Sequence, residues 1–183
     1  MNIDPNVYSG RPAQRRTPAE EAVYDRLEEL AIPFQRVDHD HADTMEDCLR
    51  IEGVLGERIC KNLFLCNRQQ TQFYLLMMYG DKPFKTKHLS AQLGCARLSF
   101  ADAGHMEELL RTTPGSVSAL ELLFDTEHRV QLVVDRPLTR AEFVSAHPGL
   151  STSTLKLRWS DLLRFAESTG HAPVYVDLPD TEE

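Results

Sequence analysis

Hydrophobic positions along this chain alternate between helical and strand-like spacing, and the changes of period mark out the elements. "TPAEEAVYDRLEELAI" places Val23, Leu27 and Leu30 on one face of a helix. Thr17 supplies a cap, Pro18 fits the first helical position, and Glu20 completes a capping box. Pro33 ends that helix, and "PFQRVDHD" alternates as a short strand. "TMEDCLRIEGVLG" predicts a second helix capped by Thr44, with Gly53 or Gly56 near its end. "KNLFLC" and "QFYLLMMYG" are continuously apolar and joined by the polar "NRQQT", the pattern of a hairpin of well-buried strands. "KTKHLSAQLG" predicts a helix closed by Gly94, "ARLSF" a strand, and "DAGHMEELLR" a helix capped by Asp102. The turn-rich "TTPGSVSAL" precedes three strand-like runs, "RVQLVVD", "EFVSAHPG" and "STSTLKLRW". Ser160 is the expected cap of a last helix, "DLLRFAESTG", and "APVYVDL" closes as a strand.

Short turns between neighbouring strands imply antiparallel pairing. The expected fold is therefore a single α/β domain over residues 17–183, with a mixed, mainly antiparallel curved sheet or partial barrel flanked by helices. Residues 1–16 lack periodicity and are expected to form a flexible arm. The chain's 183 residues suffice for one domain with a proper core.

Composition adds exclusions. With 42% hydrophobic and 26% charged residues the chain reads as a soluble globular protein. No apolar run approaches the roughly 20 residues of a membrane helix, and the N-terminus has no signal-type apolar region. No membrane association is expected. Cys48, Cys60, Cys66 and Cys95 form no CxxC pair, which points to reduced cysteines and a cytoplasmic location. A net charge of -8 argues against broad coating of nucleic acid while leaving room for contact with a few phosphates.

Nucleotide-loop, zincin and nucleophile-elbow motifs are missing. His39 and His41 have metal-like spacing but no third ligand nearby, so neither metal nor cofactor is expected. Three features remain. Lys61 and Asn62 stand at the head of a buried strand, where a lysine stem can lie on apolar surface while its ammonium reaches a cleft. Gly115, Ser116, Val117 and Ser118 form a loop of small residues whose main-chain N–H groups can approach a ligand. His147 precedes a Pro-Gly turn, followed by the hydroxyl residues Ser151 and Thr152. Taken singly, each is ordinarily a structural feature: a solvated strand end, a turn, a loop histidine.

Taken in order, "KNLFL", "ARLSFAD", "PGSVS", "VVD", His-Pro with its hydroxyl residues, and "DLLRFAESTGHAPVYVDL" resemble the prolyl-tRNA editing protein family. These are free-standing relatives of the editing domain of prolyl-tRNA synthetase, within the YbaK-like aminoacyl-tRNA deacylases. The resemblance runs from Thr17 to Leu178. It implies a mixed α/β fold and hydrolysis of the ester of mischarged tRNA, most often alanine on proline tRNA. The acceptor end of that tRNA would be the partner, with prolyl-tRNA synthetase as a second one. Lys61 matches the family's essential lysine, Gly115 the glycine of its pocket loop, and His147 the histidine before proline. Asn62, Ser116, Val117, Ser118, Ser151 and Thr152 would complete the substrate pocket. Two positions depart from the family. Ala119 stands where the loop has proline, and Ser151 stands where asparagine opens the stretch after His-Pro. An alternative reading is a non-catalytic module on the same fold that senses tRNA or an amino acid.

Overall fold

A computed structural model describes residues 1–181. Helix α1 spans Pro18–Glu29 and α2 spans Met45–Leu55, and both capping threonines form their boxes: Thr17 with Glu20, Thr44 with Asp47. Gly56, not Gly53, ends α2, in the left-handed conformation that costs glycine little. Between the helices lies strand β2, Gln35–Asp38.

The predicted hairpin is present as β3, Cys60–Cys66, and β4, Phe73–Tyr79, antiparallel in register from Cys60↔Tyr79 to Cys66↔Phe73. Asn67 closes the turn by accepting from the Thr71 and Gln72 amides. Helix α3, Thr86–Leu93, ends at Gly94; the expected "ARLSF" strand shortens to β5, Ser99–Phe100; α4, Ala103–Leu110, carries Asp102 as its cap. Beyond the 115–118 loop the chain winds into a short 3-10 helix, Ala119–Phe124. Then follow β6, Val130–Asp135, β7, Phe143–Ala146, β8, Ser153–Arg158, α5, Trp159–Ser168, and β9, Val174–Val176.

The mixed α/β class is as expected; the strands divide into two sheets, and no closed barrel occurs among the described residues. One has the order β5-β3-β4-β6-β9 and is mixed, because β4, β6 and β9 run parallel. The other, antiparallel throughout, runs β2-β8-β7. Its edge corrects the expectation for the N-terminal arm. Tyr8–Ser9 pairs with β2 as strand β1, and Ile3 bridges to His39, so the arm is docked. A second correction concerns Ser160. Strand β8 runs straight into α5, Arg158 is the residue before the helix, and Ser160 lies within it.

Burial explains the apolar runs. Phe64, Leu75 and Met77 join the main core between the sheets, with Val23, Tyr24 and Leu27 of α1 and Phe165 of α5. Leu65, Leu76 and Met78 point the other way and pack with Leu89 and Leu98 beneath α3. A strand buried on both faces has no polar side, hence the continuous apolar sequence.

Candidate active site

The start of β3 places Lys61 where the sheet meets the 115–118 loop and the turn after β7. A cavity of about 180 Å³ opens there, lined by Lys61, Asn62, Gly115, Val117, His147 and Thr154, with Cys48 and Ile51 of α2 on its far wall. Five of the nine residues singled out from sequence thus meet around one space. A wider groove of about 720 Å³ lies elsewhere, beside Phe143, Lys156 and Arg158, and contains none of them. Its cations are largely neutralised: Arg11 by Glu21, Asp25 and Glu28, and Arg158 by Glu142.

Lys61 is half-buried, and its ammonium donates to the main-chain carbonyl of Lys82. Burial pushes its pKa below the usual lysine range, against the opposing pull of Asp81. The anchoring carbonyl is itself fixed. Lys82 Nζ lies 2.7 Å from Asp135, whose other oxygen accepts from the Leu178 amide at 3.0 Å. Asn62 carries a buried Oδ1 that has no hydrogen-bond partner among the described residues.

Gly115 adopts φ +87°, a conformation that strains any residue with a Cβ, although no atom lies within 4 Å of where that Cβ would be. Its backbone shape, more than its small size, makes glycine necessary here. Of the loop's main-chain donors, Ser116 N–H is committed to the Thr113 carbonyl and Ser118 N–H to Glu121. Those of Gly115 and Val117 make no bond among the described residues.

His147 Nδ1 sits 3.0 Å from the Ser153 carbonyl, which can only accept, so Nδ1 carries the proton and Nε2 is the bare nitrogen. Burial lowers the pKa of this ring to about 4, with His39 and His41 adding to the depression, so it is neutral at physiological pH. The neighbouring histidines have roles that the sequence hid. His39 Nε2 holds the Thr154 hydroxyl at 2.7 Å, and His41 Nδ1 lies 2.5 Å from Ser151 Oγ. No cluster of metal-ligating side chains occurs among the described residues.

The remaining four expected residues do not line the cavity. Ser116 is fully buried and accepts from the Ser151 amide at 3.1 Å, tying the loop to the stretch after the Pro-Gly turn. Ser118 caps the 3-10 helix, and Thr152 faces a separate groove beside His39. Sequence reasoning missed Glu121. Fully buried, it accepts from the Ser118 amide and the Gly149 amide, each at 3.0 Å, and so joins the loop to the turn that carries His147. The S-x-x-E spacing of Ser118 and Glu121 is the signal that identifies it as part of a cap.

This arrangement suits ester hydrolysis without a metal: free main-chain donors for a developing oxyanion, a cation at the rim, and an unprotonated imidazole nitrogen that can accept from water. The chain matches the aminoacyl-tRNA editing domain family over residues 39–165. It is 31% identical over 160 residues to prolyl-tRNA editing protein ProX of Acetoanaerobium sticklandii, covering 87% of this chain and 98% of that one. It is 33% identical over 154 residues to prolyl-tRNA synthetase associated domain-containing protein 1 of Danio rerio, covering 83% of each. The solved structure of hypothetical protein APE2540 superposes with a TM-score of 0.64 at 20% identity, over 82% of this chain and 95% of that one. The fold is that of a mixed α/β domain. The chain belongs to the aminoacyl-tRNA editing domain family, and its activity is that of an aminoacyl-tRNA hydrolase.

Proposed function

We propose that the protein is a free-standing editing deacylase that clears alanine, or another small amino acid, from mischarged proline tRNA, working beside prolyl-tRNA synthetase. The observation that carries this reading is the convergence of Lys61, Asn62, Gly115, Val117 and His147 on a cavity of about 180 Å³. Drug-sized ligands occupy pockets of roughly 300–1,000 Å³. This one suits a small aminoacyl group, with the rest of the tRNA outside.

The roles follow from the atoms. The unpartnered Oδ1 of Asn62 accepts from the α-ammonium of the amino acid. Gly115 and Val117 N–H donate to the ester carbonyl and, more strongly, to the oxyanion that forms as water attacks. The bare Nε2 of His147 accepts from that water or from the neighbouring ribose hydroxyl. With a pKa near 4 it orients a proton better than it removes one. Lys61 at the rim holds the terminal adenosine phosphate or the charge that develops on the leaving ribose oxygen. Ser116, Ser118, Ser151 and Thr152 support the walls from behind, and no cofactor takes part.

The experiment is a panel of mischarged tRNAs, following ester loss against the spontaneous rate. Fastest loss from alanyl-tRNA(Pro) is expected. Loss no faster than the spontaneous rate throughout would favour the alternative of a binding module that senses tRNA without cleaving it.

A further inference from the structure

Ser118 Oγ lies 2.5 Å from Glu121 Oε2 and 2.6 Å from the His147 carbonyl oxygen, and it also accepts from the Leu120 amide at 3.2 Å. A serine hydroxyl has one proton. The carbonyl can only accept, so that proton belongs on the His147 side. The short contact to Glu121 then needs a second proton, and the carboxyl is its source. An ionised Glu121 would leave two acceptors facing each other at 2.5 Å. We propose that Glu121 is a positioning residue that clamps the two walls of the cavity together as a neutral carboxylic acid, and that loss of its proton lets the 115–118 loop part from the His147 turn. The proposal rests on the reading of this cavity as the editing site.

The surroundings agree. Glu121 is fully buried and has no ion pair among the described residues. Burial pushes its pKa up to about 8, although its hydrogen bonds pull the other way. The clamp holds both walls at main-chain atoms: the Ser118 and Gly149 amides and, through Ser118, the His147 carbonyl. The Gly149 carbonyl is also tied, by Thr112 Oγ1 at 2.9 Å.

Other titratable groups face this helix. Helix α1 presents Glu20 and Tyr24, the turn presents His147 with His39 and His41 beyond it, and the paired Asp125 and His171 stand at the far end of the 3-10 helix. Arg111, which ends α4, lies over the Phe124 ring, while the buried faces of α4 and α5 are apolar. Burial holds His147 and His39 below their usual range and Tyr24 above its own, so their transitions fall outside the neutral-to-alkaline range.

The test follows main-chain amide resonances and the carboxylic-acid infrared band across neutral and alkaline pH, in the parent and in Glu121→Gln. In the parent the band is expected to vanish with a midpoint near 8. The amides of Gly115, Val117, Ser118 and Gly149 should move with the same midpoint. Deacylation, corrected for spontaneous ester loss, should fall about tenfold per pH unit above it. Glu121→Gln should lack both the band and the transition. Its amide places a donor against either the Ser118 or the Gly149 N–H, so its activity should be lower but flat with pH. If Glu121→Gln fails to fold, Ser118→Ala serves instead: it removes the hydroxyl whose bond favours the ionised carboxyl and should shift the midpoint upward. A carboxylate already ionised at neutral pH, loop amides that do not move, or a transition retained in Glu121→Gln would overturn the proposal. The spectroscopic transition in a protein that deacylates no tRNA would support the clamp and count against the function proposed above.

Discussion

Asp135→Ala is the substitution whose cost the structure specifies most fully. Asp135 and Lys82 form an ion pair at 2.7 Å with side-chain exposures of 1% and 8%, and the second oxygen of Asp135 accepts from the Leu178 amide. Removing one partner of a buried pair costs about 3–5 kcal/mol, because a charge is left uncompensated in low dielectric. Orphaning the Leu178 N–H adds about 1–3 kcal/mol. Against this, Asp180, 91% exposed and 3.4 Å from Lys82 Nζ, offers the stranded ammonium a solvated partner. The expected loss is therefore about 4 kcal/mol, which for a chain of this size lowers Tm by roughly 8–16 °C. The double variant Lys82→Met, Asp135→Leu should lose less, about 1–3 kcal/mol, since apolar side chains of similar volume replace such pairs at little cost and only the orphaned Leu178 N–H remains. Urea unfolding of the single and double variants measures both. Function should follow the same order. The anchor of Lys61 is the main-chain oxygen of residue 82, so the double variant keeps it and remains active, whereas Asp135→Ala displaces it. A loss under about 1 kcal/mol in the single variant, or a double variant as unstable as the single, would refute this reasoning.

Three further outcomes are expected. The pKa of His147 falls from 6.5 to about 4 on folding, so its stabilising effect is complete above pH 6.5 and lost as pH drops through 4. At about 1.4 kcal/mol per pH unit that loss is at most roughly 3 kcal/mol, and His147→Asn should flatten the acid limb of urea stability. Ala119→Pro should be accepted and add about 0.4–1 kcal/mol. Ala119 opens the 3-10 helix, its N–H has no partner among the described residues, and Ser118 already holds the extended conformation (φ -146°, ψ 173°) that a following proline requires. The ratio of alanyl to seryl ester hydrolysis before and after this change shows whether loop rigidity sets selectivity. Binding of tRNA should show a shallow salt dependence, since a chain of net charge -8 offers few phosphate contacts; a slope near that of ten contacts would contradict it.

What was legible in the sequence was local. Thr17, Thr44 and Asp102 cap where the spacing predicts, because a cap needs only the residues three positions on. The β3–β4 hairpin is equally plain in its two apolar runs. The docking of residues 1–16 is not, since Tyr8–Ser9 joins β2 through main-chain bonds that leave no side-chain pattern. Ser160 misled for the opposite reason: a residue type that favours caps sits one position inside a helix that β8 enters without a turn. At the site, Lys61, Gly115 and His147 stood out by neighbourhood and by family resemblance. Glu121 did not, because its second function depends on Gly149, 28 residues further along the chain. His39 and His41, read from sequence as loop residues, hold in space the hydroxyls of Thr154 and Ser151, partners that lie more than 100 residues along the chain.

The central claim is that Lys61 and the cavity beside it carry the deacylation. The most direct measurement compares hydrolysis of alanyl-tRNA(Pro) by the parent and by Lys61→Ala under single-turnover conditions, with thermal unfolding of both. Lys61 makes one hydrogen bond and is only half-buried, so melting should barely change while hydrolysis falls close to the spontaneous rate. A Lys61→Ala protein that melts with the parent and cleaves the ester as fast would show that Lys61 is only a solvated strand end and that the chemistry lies elsewhere.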